Sequence, residues 1–193
     1  MNNMTQIASA RSRFFQLLAL GFSHPVVEFH SLLASGDFLQ SLEEAADSGF
    51  SIHGEPAMSD GSFVEFEAAY IDLFQIGHRG KPRVHLRASE YEQIARDDSH
   101  PQILLQYSSW YKHFGLQTSE GDFGSELPDN IICQLEFMAW LAHLEAGASS
   151  KPDILEGYQR AQRDFCDRHL LPVLNLLVVS LQQIDAHFYL GLA

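Results

Sequence analysis

The chain has 193 residues, and its 12 lysines and arginines against 25 aspartates and glutamates give a formal net charge of −13. That length suits one domain with a single sizeable core. The charge excludes nucleic acid and anionic membrane surfaces as partners and favours cationic ones. Cys133 and Cys166 stand far apart in apolar helical patterns, so they read as small core hydrophobes in a reducing cytoplasm, not as a disulfide framework.

Helical periodicity dominates from the start, and strict strand alternation is nearly absent. In "ARSRFFQLLALGF", Arg11 and Arg13 precede an apolar run, as in an export signal. However, Gln16 interrupts the run, the arginines are not adjacent, and no small-residue cleavage site follows. The segment reads as an amphipathic first helix over residues 5 to 21, with Phe14, Leu17 and Leu18 on its buried face. After "SHP", a second helix runs from Val26 to Leu33, and "SGD" restarts a third carrying Phe38, Leu39 and Leu42. Residues 47 to 60 form a polar connection. Asp60 or Ser62 then caps a helix through "FVEFEAAYIDLF", where Phe63, Phe66, Tyr70, Leu73 and Phe74 recur at helical spacing.

The next segment, "QIGHRGKPRVHLRASEY", is broken by Gly77, Gly80 and Pro82 and crowds basic residues into an acidic chain, so it reads as an exposed loop. Asp98 or Ser99 caps a helix with Pro101 in its first turn and a stripe through Leu104, Tyr107, Tyr111 and Phe114, ended by Gly115. A hinge-like acidic linker over 117 to 127 leads to "ELPDNIICQLEFMAWLAHLEAG", with Pro128 in the first turn and Gly147 at the end. Two helices, 152 to 169 and 172 to 190, complete a single all-α domain spanning 1 to 193. The longest late apolar run, "LLPVLNLLVV", falls well short of the roughly 20 residues that span a bilayer.

Chemical motifs are scarce. Ten histidines invite a metal, yet there is no H-E-x-x-H, no E-x-x-H pair and no C-x-x-C. "GHRGKP" shares three letters with a phosphate-binding loop but puts Pro82 where Ser or Thr would hold magnesium. No nucleophile elbow or activated cysteine is present.

The helix after Pro128 carries the surface argument. At 100° per residue, Asp129, Glu136 and His143 fall on one line, with Cys133 and Trp140 beside it, and the remaining arc is apolar. A helix apolar nearly all round packs among others, so Glu136 needs a partner, such as an arginine from a neighbouring helix, or an opening to water. Glu126 and Asp129 suit the helix dipole, and beside Leu127, Ile131 and Phe123 they also suit a basic, apolar peptide.

These residues carry a resemblance. "ELPDNIICQLEFMAWL" resembles the E-x-P-D-H-x-x-x-E-L-E-F-M-x-x-L signature of the TorD, DmsD and NarJ type chaperones that mature molybdenum redox enzymes. "ARSRFFQLLALGFSHP", "FEAAYIDLFQIG", "SWYKHFGL" and "FCDRHLLPVL" are similar to other blocks of that family, in the same order and over most of the chain.

The resemblance implies a TorD-like bundle of eight or more helices that is cytoplasmic and non-catalytic. Its implied partner is the apo catalytic subunit of a molybdopterin-dependent oxidoreductase, bound directly or through its twin-arginine leader so that cofactor insertion precedes export. By position, Glu126, Pro128, Asp129 and Glu136 match the signature, and Tyr70, Leu73 and Phe74 match the aromatic segment, where core packing accounts equally for their spacing. Asn130 stands where the family often has histidine; it hydrogen-bonds but does not titrate near neutral pH, so a histidine-dependent role is not carried over. The chain implies no cofactor of its own, and transient contact with molybdopterin guanine dinucleotide or guanine nucleotide stays open, as does the choice between a monomer and a domain-swapped dimer. The rival readings are a small helical enzyme with an unrecognised site and a structural subunit of a redox complex.

Overall fold

The computed structural model describes residues 3–46, 61–77, 80–96, 98–116, 126–148, 150–184 and 186–193. The expected polar connection over 47 to 60, most of the linker over 117 to 127 with Phe123, and His78 and Arg79 of the basic segment lie outside these residues.

The helices are α1 (Asn3–Phe22), α2 (Val27–Ser35), α3 (Asp37–Ala46), α4 (Phe63–Phe74), α5 (His100–His113), α6 (Ile131–Gly147), α7 (Pro152–Phe165), α8 (Leu171–Gln182) and α9 (His187–Leu192). This is the all-α bundle expected from periodicity. Local chemistry sets the boundaries. Ser62, rather than Asp60, starts α4 through a reciprocal cap: its hydroxyl accepts from the Glu65 N–H, and its own N–H donates to Glu65 Oε2 at 2.7 Å. Ser99 starts α5, donating its N–H to Gln102 Oε1 at 2.7 Å. Gly36 takes φ 81° to end α2 and turn directly into α3.

Two expected boundaries shift. The break expected near Pro172 does not occur, because α7 runs through a π-helical turn, Cys166–Leu170, straight into α8. The Leu171 N–H reaches back to the Cys166 carbonyl. Pro172 follows directly on this widened turn, which accommodates its missing N–H without ending the helix. The real break follows Gln182. Likewise α6 begins at Ile131 with Asn130 as its cap, so Pro128 and Asp129 precede the helix.

Helix α6 is the axis of the bundle. Ile131, Leu135, Phe137 and Leu141 are at most 1% exposed, each contributing on the order of 2 kcal/mol by burial. Small residues on both partners, Ala8, Ser12 and Ala19 on α1 and Ala139 and Ala142 on α6, are all buried, which lets the two backbones approach closely. The Ser12 hydroxyl donates across that interface to the Ala139 carbonyl at 2.8 Å.

Aromatic rings fill both ends. Phe22, Phe66, Tyr70, Phe74 and Tyr189 interlock α1, α4 and α9, while Tyr111, Phe137 and Phe165 join α5, α6 and α7. Among the described residues, no single helix is long and apolar enough to cross a membrane.

The buried, arginine-paired acid of α6 is Glu145, not Glu136. Glu145 accepts from Arg11 Nη1 at 2.8 Å, Gln162 Nε2 at 2.7 Å and Gln159 Nε2 at 2.9 Å, tying α1, α6 and α7 together. Replacing Glu145 by Ala strands three donors and is expected to lower unfolding stability by roughly 3 kcal/mol in a urea titration; Glu145→Gln, which keeps an acceptor, should cost less.

Candidate functional site at the start of helix α6

The segment expected to be an exposed basic loop folds inward. Val84, Leu86, Ala88 and Tyr91 are at most 8% exposed, and the Arg83 and Val84 N–H groups close onto the Leu73 carbonyl at 2.8 and 2.9 Å. Gly77 makes that return feasible, since a Cβ there would lie 2.6 Å from both the Asp72 and the Lys81 carbonyl oxygens. The extended chain then pairs with the start of α6: Arg87 and Asn130 form an antiparallel bridge, Ile131 N–H donates to Leu86 O at 2.8 Å, and Ala88 N–H to Asp129 O at 3.1 Å.

Asp129 is fully buried in this junction. Its Oδ2 accepts the Ser89 N–H at 2.9 Å, and its Oδ1 accepts Arg87 Nε at 3.4 Å. Its carbonyl takes the Gln134 amide at 2.9 Å, while the Tyr111 hydroxyl donates to the neighbouring Pro128 carbonyl at 2.6 Å. Asp129 and Pro128 therefore build the turn, and their contacts point into the protein. Arg87, Ser89 and Tyr111 are the partners that motif reading missed. The signal for the first two was present as the period-two burial of Val84, Leu86 and Ala88, too short to register against helical patterns.

Asn130 links the turn to the surface. Its Oδ1 accepts the Ile132 N–H at 3.0 Å as the helix cap, and its Nδ2 donates to Glu126 Oε2. One amide thus holds the helix start and an exposed carboxylate at once, using its acceptor and donor together.

Beyond the cap, Cys133, Glu136, Trp140 and His143 form the less buried stripe of α6. Glu136 opens to water. Partial burial, and then the charge of Glu126, holds its carboxyl above the usual glutamate value of 4.5. The Cys133 thiol is pushed up to about 12 by burial first and then by Glu136, Glu126 and Asp129, which makes it inert as a nucleophile. Trp140 donates its indole N–H to Phe114 O at 3.0 Å and stacks on His143.

Tyr70, Leu73 and Phe74 are buried. The Tyr70 hydroxyl donates to Phe22 O at 3.1 Å, and Phe74 packs edge-on against Tyr189. Burial, and then the charge of Glu126, raises the Tyr70 pKa. The charge of Glu126, in the signature motif, is thus felt at the aromatic segment. Among the described residues, no group of three His, Cys, Asp or Glu side chains is placed to hold a metal ion.

Asp129→Ala should free the 84–91 segment, lowering stability by about 3 kcal/mol. Amide exchange should accelerate at Ala88, Ser89 and Ile131 before it does in α8. Asp129→Asn, which retains an acceptor for Ser89, should cost about 1 kcal/mol.

The family model described as nitrate reductase delta subunit matches residues 33–178. The chain is 36% identical over 181 residues to the dimethyl sulfide dehydrogenase assembly chaperone protein of Rhodovulum sulfidophilum, covering 91% of this chain and 71% of that protein. It is 31% identical over 193 residues to the perchlorate reductase assembly chaperone protein of Dechloromonas aromatica, covering 95% and 83%. To the selenate reductase assembly chaperone protein of Thauera selenatis it is 40% identical over 105 residues, covering 54% and 51%. No solved structure matches. The chain therefore belongs to the nitrate reductase delta subunit family, the NarJ- and TorD-type family that its sequence blocks resemble.

Proposed function

We propose that this protein is a cytoplasmic assembly chaperone, not an enzyme. Its client is the apo catalytic subunit of a molybdopterin-dependent oxidoreductase, which it engages through a basic, apolar leader. The observation that carries the reading is an exposed acidic pair without cations: among the described residues, neither Glu126 nor Glu136 is in an ion pair. Between and beside them lie Leu127, 43% exposed, and the half-buried Cys133 and Trp140. The names of the relatives, each an assembly chaperone of a reductase or dehydrogenase, support the class of client.

The chemistry suits temporary binding. Each exposed charge pair with a leader arginine or lysine is worth up to about 1 kcal/mol, and burial of the leader's apolar run adds about 25 cal/mol per Å². Together these favour an affinity near the micromolar range, about −8 kcal/mol. The net charge of −13 adds long-range attraction that speeds encounter. Molybdopterin guanine dinucleotide is the client's cofactor, and the chaperone's task is to keep the leader from engaging export until that cofactor is in place.

Titration of the purified protein with a synthetic leader of its client should show saturable binding. Glu126→Gln with Glu136→Gln should weaken it about tenfold, consistent with roughly 1.4 kcal/mol, without loss of fold. The reading fails if the wild-type protein binds neither the leader nor the apo-subunit.

The pH dependence has a definite sign. Glu136 has its folded-state pKa above 4.5, so the ionised, cation-binding form is lost as pH falls through that raised value. Leader affinity should be full above it and decline from a midpoint above 4.5, and Glu136→Gln should remove this component. Folding stability moves oppositely, gaining as Glu136 is protonated.

A further inference from the structure

A second surface borders the acidic stripe across the Trp140–Phe114 hydrogen bond and carries charges of both signs. A groove of about 910 Å³ runs between α5 and α7, with Leu105, Trp110 and Phe114 giving it apolar contact and Arg160, Asp164 and Arg168 along one wall. Three features shape the groove. Leu105 projects into it 66% exposed. Gly157, on the α7 side of the lining, faces open space, since a Cβ there would meet nothing within 4 Å. The π-helical turn Cys166–Leu170 brings Arg168 and His169 onto the lining, and such turns are disfavoured unless something retains them.

The wall's charges are ordered. Arg160, Asp164 and Arg168 are spaced four residues apart and read plus, minus, plus over about 12 Å of helix. Among the described residues, none of the three is in an ion pair, in a chain with only 12 lysines and arginines. The groove's other acid, Asp98, already accepts from the Gln106 amide at 2.9 Å.

We infer that the α5–α7 groove docks an amphipathic helix whose apolar stripe meets Leu105, Trp110 and Phe114 and whose edge carries an acid, base, acid row at four-residue spacing. That row mirrors the wall and, being symmetric, matches it in either helix direction. A leader with a purely basic head lacks it, so this surface and the Glu126–Glu136 face take different segments.

The test uses the full chain and two fluorescein-labelled 18-residue synthetic helices with the same leucine stripe. One carries Glu, Lys, Glu at four-residue spacing, and the other Lys, Glu, Lys. Fluorescence anisotropy should show the first binding at least tenfold more tightly. The R160E/D164K/R168E variant should reverse the preference. Gly157→Leu should abolish binding at an unchanged or raised melting temperature, because leucine is the better helix former and extends into the groove's open space. Glu126→Gln with Glu136→Gln should leave it intact, which separates this site from the leader site. Absence of binding by either helix, equal binding of both, or a preference that survives the triple reversal would overturn the inference.

Discussion

A fully buried carboxylate, Asp129, is the constraint on which the architecture around the signature motif depends. Removing such a charge from water costs several kcal/mol unless hydrogen bonds and an opposite charge compensate. Compensation comes from the Ser89 N–H and the Arg87 guanidinium, both on a segment distant in sequence. Satisfying Asp129 therefore obliges residues 84–91 to lie against α6, which fixes the exit of α4 and, through Tyr111 and Pro128, the end of α5. The motif's apolar residues then face the core, and its remaining acids are left outside.

The acids of this region divide into two kinds. Asp129 and Glu145 are buried, and each occupies one of the chain's few arginines. Glu126 and Glu136 stand at the surface and, among the described residues, have none. This division turns an overall excess of negative charge into a local, directed one: the buried pairs hold the helices in place, and the unpaired carboxylates stand at fixed positions on that frame. Asn130 joins the two kinds, because the same side chain caps α6 and holds Glu126. A neutral amide can do this at any pH between those that denature the protein, so Asn130 adds no pH sensitivity of its own to the face.

Sequence periodicity was enough for the helices and for most of the core, since α6 is apolar nearly all round and α4 repeats its aromatics at helical spacing. It was also enough to place Cys133, Glu136, Trp140 and His143 on one stripe. Three things were not legible. Which α6 acid is buried depends on where α1 approaches, and that is set by Ala8, Ser12 and Ala19 rather than by anything local to Glu136 or Glu145. The inward fold of 84–91 depends on a long-range bridge to Asn130, while its basic residues argued for solvent. The π-helical turn has no compositional mark, and Pro172 pointed to a break that this widened turn makes unnecessary. In the first two cases a tertiary partner overrode a correct local preference.

The outward stripe of α6 is the leader-binding face that we propose. Site-specific photo-crosslinking from position 143, whose side chain is exposed at the end of that stripe, tests this inside cells without altering either acid. Peptide mapping of the adduct should place the crosslink in the basic, apolar leader of the client's catalytic subunit. A crosslinker at position 143 that captures no client, while one at an unrelated exposed position captures the leader, would contradict it.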